Sequence, residues 1–352
     1  MTRLLFAAAI SMAISLFGTK ALINWLTRHR IGQPIRDDGP EGHHTKAGTP
    51  TMGGLAIVAG VTAGYVVSDL VGATYTRRGI FVMLAIIGGG VVGLMDDWIK
   101  VKAARNLGLN KKAKMFGLLL VAVGFAFLMT QFTEVQHTIS FTRFDNPGWD
   151  IGRIGWMVWA VLLITGTTNA VNLTDGLDGL AAGAGALAFA AFTVVGYWQF
   201  QQFEIVDGER VNLYGLTAAL DLAVVSAAMV GAIIGFLWWN AAPAQIFMGD
   251  TGSLAIGSGL AALALATNTH LLLPIIGALF VFETVSVILQ IAVFRLFDGR
   301  RLFRMAPVHH HFELLGWPET TVIIRLWIMS GLCTAVGLGL FYADAINAGF
   351  TS

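Results

Sequence analysis

The chain has 352 residues, 56% of them hydrophobic and 12% charged, with a formal net charge of +1. Soluble domains carry roughly 25% charged residues, so this composition excludes a string of soluble domains and predicts an all-α polytopic membrane protein, a single integral membrane domain over 1–352. The near-zero net charge gives no reason to expect a nucleic-acid partner, and a single cysteine, Cys333, excludes an internal disulfide and a cysteine-based metal site.

A membrane-crossing helix needs about 20 mostly apolar residues. Reading along the chain, about ten segments meet that need: 4–26, 52–71, 79–98, 115–132, 154–172, 179–199, 215–239, 253–269, 271–297 and 322–343. Arg3 precedes the first of them and no small-residue cleavage site follows, so it reads as a span and not as a removed signal. Between the fourth and fifth segments, "EVQHTISFTRFDNPGWD" (134–150) alternates polar and apolar residues and ends in a turn signal, which predicts a short β-hairpin. The ninth segment is about 27 residues, about 40 Å at 1.5 Å per residue, against a hydrocarbon core of about 30 Å. It must tilt, bend or protrude.

An even number of spans puts both termini on one side. Most lysines and arginines fall in the loops after odd-numbered spans, among them Lys46, Lys100, Lys102, Lys111, Lys112, Lys114, Arg300, Arg301 and Arg304. The positive-inside rule makes those loops cytoplasmic. It puts both termini and the 134–150 hairpin outside. Asp221 falls near an external end, where it can snorkel, and Glu283 falls near the middle of the ninth segment, where an acid is functional by default.

Five polar clusters lie on the predicted cytoplasmic face: "HHTKAGTPTMGG" (43–54), "GLMDDWIK" (93–100), "NAVNLTDGLDG" (169–179), "WWNAAPAQIFMGDTGS" (238–253) and "MAPVHHHFE" (305–313). One such cluster is an ordinary interfacial anchor; five on one face suggest one site. Asp96 and Asp97 are adjacent, and adjacent helical residues do not face each other, so they have different jobs. Asp250 sits between Gly249 and Gly252, which permit close approach of backbone to a ligand, and a carboxylate is a hard ligand suited to Mg²⁺. Asn169 and Asn172 share a helix face. Gly176 and Gly179 then break the helix beside Asp175 and Asp178, and the asparagine amides suit sugar or base recognition. His309, His310 and His311 are consecutive, so they cannot share one helix face, and phosphate contacts suit them better than a three-histidine zinc site.

At these residues the chain closely resembles the polyprenyl-phosphate N-acetylhexosamine-1-phosphate transferases, through "GTPTMGG", "DDWIK", "NAVNLTDGLDGLA", "FMGDTGSLA" and "PVHHHFE". The forms "PVHHHFE" and "GTPTMGG" favour the muramoyl-pentapeptide branch over the N-acetylglucosamine-phosphate branch. The resemblance implies ten spans with a bent ninth helix beside a lipid-facing groove, Mg²⁺ as cofactor, and a homodimer. As substrates it implies undecaprenyl phosphate and UDP-N-acetylmuramoyl-pentapeptide. It also implies Asp96, Asp97 and Asp250 as catalytic acids, with Asp250 on Mg²⁺. Lys46, Lys100, Asn172, Asp175, Asp178, Asn240 and Phe247 are implied to line the nucleotide pocket, with Lys112 matching less sharply, and His309 to His311 to touch substrate. The expected protein is a phosphoglycosyl transferase of the bacterial inner (plasma) membrane whose active site faces the cytoplasm. The rival readings are a transferase using UDP-N-acetylglucosamine, or a transporter, which would place ionisable residues at mid-membrane in several spans.

Overall fold

A computed structural model describes residues 1–29, 48–72, 75–102, 108–206 and 209–349. Lys46 and the 43–47 part of the 43–54 cluster therefore lie outside the described residues. The chain is mostly helical, with two small two-stranded sheets. In order, the elements are α1 (Thr2–Arg28), α2 (Gly54–Val67), α3 (Arg77–Lys102), α4 (Lys111–Phe132), β1 (Thr138–Arg143), β2 (Asn146–Asp150), α5 (Gly152–Thr174), α6 (Leu180–Gln201), β3 (Phe203–Val206), β4 (Glu209–Asn212), α7 (Ala219–Asn240), α8 (Gly249–Ala266), α9 (Leu273–Ile276), α10 (Ala278–Leu296), α11 (Val308–Leu314) and α12 (Glu319–Asn347).

Eight of these helices are long and apolar enough to cross a membrane: α1, α3, α4, α5, α6, α7, α10 and α12. Two more helices occupy the remaining predicted segments. α2 has 14 residues. α8 has 18, with Asp250 and two glycines in its first turn lowering its hydropathy.

The bundle is inverted relative to a soluble protein. Large apolar side chains such as Phe116, Leu120, Val123 and Phe127 of α4 point outward and are exposed, which suits hydrocarbon. The interior combines large buried side chains such as Trp156, Phe189 and Phe236 with a central helix rich in small residues. From Thr251 onward α8, "TGSLAIGSGLAALALA", is buried along its whole length and packs against α3 and α5. Small side chains let backbones approach closely, which drives helix association where lipid removes the hydrophobic incentive. A methyl built on Gly54 would stand 2.0 Å from the amide nitrogen of Gly252, and one on Gly93 would stand 2.1 Å from the carbonyl oxygen of Asp250. Both α2 and α3 therefore touch the start of α8 backbone to backbone.

The long ninth segment resolves its excess length by breaking. α9 opens with Pro274 in its first turn and stops at Gly277, whose φ of −94° and ψ of 29° leave the helical region, before α10 continues.

The expected hairpin is present as β1 and β2, paired antiparallel from Thr138–Asp150 to Arg143–Asn146. Asp344 of α12 latches it, accepting from Thr142 Oγ1 at 2.5 Å, Arg143 Nε at 2.9 Å and Asn146 Nδ2 at 2.8 Å. A second hairpin, β3–β4, joins α6 to α7; the span analysis does not anticipate it. Asp221 does not snorkel. It is buried, and its Oδ2 accepts from the Thr76 amide and hydroxyl, both at 2.7 Å, and from Tyr65 at 3.2 Å, so it ties α7 to the start of α3 instead of reaching for water.

Candidate active site

The C-terminal ends of α3 and α5 meet the N-terminal ends of α4 and α8 at one pole of the bundle. There Asp96, Asp97 and Asp250 each offer a carboxylate oxygen, all within 4.8 Å of one another. Two lysines enter the group. Lys100 Nζ lies 2.6 Å from Asp96 Oδ2, 3.6 Å from Asp97 Oδ1 and 2.9 Å from Asp250 Oδ2. Lys114 Nζ lies 2.7 Å from Asp250 Oδ2 and 3.3 Å from Asn172 Oδ1. Asn172 in turn donates to Asp250 Oδ1 at 2.7 Å and to Ser253 Oγ at 2.9 Å.

The two adjacent acids of α3 make different contacts. Asp97 spends both oxygens on the first turn of α8: Oδ1 accepts the Asp250 amide at 3.1 Å, and Oδ2 accepts the Thr251 amide at 2.9 Å and its hydroxyl at 2.7 Å. It satisfies amides that a helix start leaves unpaired and sits at the positive end of the helix dipole. Asp96 instead takes the Leu109 amide on Oδ1 at 2.8 Å and turns Oδ2 to Lys100. Gly249, at φ +72°, makes the turn into α8, and a methyl there would stand 2.6 Å from Asp97 Oδ2. The glycines around Asp250 thus serve the approach of helix to helix.

The 175–179 loop lies beside this cluster. Burial raises the Asp175 carboxyl well above the usual range, and the charges of Asp250 and Asp97 push it further in the same direction. Asp178 Oδ2 accepts the Ala244 amide at 3.0 Å, and the Asp178 amide donates to Glu319 at 3.1 Å. Asn240 donates to the Ile246 carbonyl at 2.9 Å, bracing the 241–248 loop, and Phe247 exchanges backbone hydrogen bonds with Pro50 and Gly53.

Other candidates fall outside the cluster. Asn169 turns back to the Thr165 carbonyl at 2.8 Å. Lys112 is exposed, while Lys114, not singled out from sequence, takes the inner position. The signal was available, because Lys114 stands four residues before Leu118, the first of the buried stripe Leu118, Ala122, Phe125, Ala126 and Met129. The three histidines diverge. His309 is fully buried, with Nδ1 3.1 Å from Glu283 Oε2; His310 pairs with Glu313 at 2.8 Å; and His311 Nδ1 accepts the Arg304 amide at 3.1 Å.

Carboxylate oxygens are the donors that hard divalent cations take, and Asp96, Asp97, Asp175 and Asp250 outnumber Lys100 and Lys114 here. The residues present fit a metal ion. Asp96, Asp97 and Asp250 each offer one oxygen close enough to the others to share it.

Comparison with known proteins agrees with this architecture. A family model described as glycosyl transferase family 4 matches residues 79–268, and a phospho-N-acetylmuramoyl-pentapeptide-transferase signature matches residues 46–58. Relatives named phospho-N-acetylmuramoyl-pentapeptide-transferase align along nearly the whole chain. The one from Streptomyces avermitilis is 48% identical over 97% of this chain and 98% of its own length. Those from Nocardioides sp. and Cutibacterium acnes are each 49% identical over 98% of this chain and 99% of their own length. The chain belongs to glycosyl transferase family 4 and, within it, to the phospho-N-acetylmuramoyl-pentapeptide-transferases.

Proposed function

We propose that this protein transfers phospho-N-acetylmuramoyl-pentapeptide from its UDP derivative to undecaprenyl phosphate, forming lipid I and releasing UMP. The observation that carries the reading is the convergence of Asp96, Asp97 and Asp250 with Lys100 and Lys114 at one end of an apolar helical bundle. The relatives' shared name supplies the substrate class.

The physical problem is charge. A phosphate monoester of about −1.5 to −2 at pH 7 must approach an anionic pyrophosphate. Lys100 and Lys114, now shared among carboxylates, are placed to transfer part of that pairing to phosphate oxygens. Asp250 and Asp96 would hold Mg²⁺, which when bound lowers the repulsion and stabilises charge on the leaving phosphate. Asp97 holds the start of α8, and so Asp250, in place. Asn172 orients Asp250, and Asp175 extends the acidic wall toward the nucleotide. Because the attacking phosphate is already largely ionised, a strong base is not needed at Asp96.

The topology that goes with this reading has ten spans, counting α2 and α8, with the cluster facing the cytoplasm across the bacterial inner membrane. Both termini and the β1–β2 hairpin lie outside, the whole forms one integral domain, and two chains form a homodimer. The alternation of helix ends at the cluster and the basic residues at that pole support the sidedness. The test is release of UMP by purified protein from UDP-N-acetylmuramoyl-pentapeptide, with and without undecaprenyl phosphate and Mg²⁺. Release that needs both is expected. Release from UDP-N-acetylglucosamine instead, or none at all, would overturn the reading.

A further inference from the structure

Glu283 and His309 have no part in the mechanism above, yet both are fully buried. Glu283 belongs to α10 and His309 to α11, the short helix that follows the Arg300–Arg304 loop. The Glu283 Oε2 atom lies 3.1 Å from His309 Nδ1 and accepts the His309 amide at 3.4 Å. One turn further on, Ser286 accepts the Val308 amide at 3.0 Å and donates to the Glu283 carbonyl at 2.6 Å. The start of α11 is thus docked on α10 through a buried acid and a buried hydroxyl.

The other edge of the imidazole faces the 175–179 loop. A methyl built on Gly176 would stand 2.3 Å from His309 Nε2, so the ring rests directly against the backbone between Asp175 and Asp178. Among the described residues neither imidazole nitrogen of His309 nor Glu283 Oε1 has a hydrogen-bond partner, so Nδ1 and Glu283 Oε2 meet as a close electrostatic contact. Burying such groups unpaired is costly, and a carboxylate inside an apolar helix persists where it serves function.

We propose that Glu283 and His309 form a positioning pair: the carboxylate fixes the orientation of the imidazole, and the imidazole supports the Asp175–Gly179 loop in the form that receives the nucleotide sugar. His309 then acts through the loop and does not touch substrate. The inference rests on the transferase reading above, and it assigns α10 and α11 a role in affinity for the nucleotide partner, separate from the lysine and metal chemistry.

The pair makes a specific double-mutant expectation. Gly176→Ala drives a methyl into the imidazole, and His309→Ala removes the support, so each alone raises KM for UDP-N-acetylmuramoyl-pentapeptide about tenfold or more. In Gly176→Ala/His309→Ala the new methyl enters the space the ring has left, and KM falls below that of either single variant. Glu283→Gln keeps the shape but not the charge that orients the ring; it raises the same KM several-fold, while KM for undecaprenyl phosphate and the Mg²⁺ dependence stay at wild-type values. Multiplying losses in the double variant would overturn the proposal, as would a Glu283→Gln effect that falls equally on both substrates. Wild-type protein assayed in parallel separates the two failures: if it releases no UMP from this substrate, the transferase reading itself has failed.

Discussion

The Asp97 carboxylate on α3 holds the first turn of α8, accepting the amides of Asp250 at 3.1 Å and Thr251 at 2.9 Å. The residue next to it, Asp96, makes no such contact and faces Lys100 at 2.6 Å. One acid therefore sets the position of Asp250 while the other shares its electrostatic work. Loss of a helix-capping side chain costs about 1 kcal/mol, within a range of about 0.5–2. Asp97→Ala should lower the melting temperature in detergent as well as turnover, whereas Asp96→Ala should lower turnover with a smaller thermal effect. Equal thermal effects of the two variants would contradict this division of roles.

The lysines of the first turn of α4 should separate sharply. Lys114 contacts Asp250 and Asn172, while Lys112 is exposed on the other side of the helix. A charge-assisted contact is worth about 1.5–3 kcal/mol, so Lys114→Ala should reduce kcat/KM by roughly ten- to a hundredfold. Lys112→Ala should stay within about twofold of wild type. Steady-state kinetics on both variants decide the matter, and the reverse order would remove Lys114 from the site.

Burial, with the neighbouring charges of Asp250 and Asp97, raises Asp175 well above the ordinary carboxyl range. The sign follows from linkage: between the unfolded value, about 3.9, and the raised folded value, the folded chain binds more protons than the unfolded chain. Stability therefore falls as pH rises through that window. Asp175→Asn removes the penalty. In Mg²⁺-free detergent it should melt higher than wild type at pH 7 and show no gain below pH 4, even though its activity drops. A variant that melts lower at pH 7 would contradict the assigned environment.

Gly93 meets the Asp250 carbonyl so closely that an added methyl would stand 2.1 Å from it. The obstacle is backbone, which cannot swing aside as a side chain can. Overpacking of this kind costs about 1–3 kcal/mol, so Gly93→Ala should lower the melting temperature and, by shifting the start of α8, depress turnover too. Thermal unfolding at wild-type temperature would show that α3 and α8 are not held at this separation.

The helices were legible because the bilayer imposes a length: nine of the ten apolar segments hold one α-helix each, even where glycines and Asp250 lower the hydropathy of α8, and the ninth segment holds the broken pair α9 and α10. The acid cluster was legible because Asp96, Asp97 and Asp250 stand out against apolar surroundings. Lys100 was singled out with them, but Lys114 was not, since its place depends on the face of α4 that Leu118 buries. The part that Gly249 and Gly252 play in helix contact was not legible, because only the packing of α2 and α3 against α8 reveals what crowds them. The partner of Glu283 was hidden for another reason: His309 is 26 residues away, and local pattern says nothing about pairs at that separation. Asp221 resembled a snorkelling end residue until its bonds to Thr76 placed it between helices.

The most direct test of the account is UMP release measured against Mg²⁺ concentration for wild type and Asp250→Asn. Asparagine keeps the shape of the side chain but removes the charge that would hold the metal and pair with Lys100 and Lys114, and it turns one of the two acceptors into a donor. The account predicts that wild type loses activity to a chelator and regains it with Mg²⁺ or Mn²⁺, and regains less with Ca²⁺, which is larger and takes more ligands at longer distance. It predicts that Asp250→Asn folds, melts near the wild-type temperature, and stays nearly inactive at every Mg²⁺ concentration. Wild-type turnover by Asp250→Asn with an unchanged Mg²⁺ curve would contradict the mechanism at its centre.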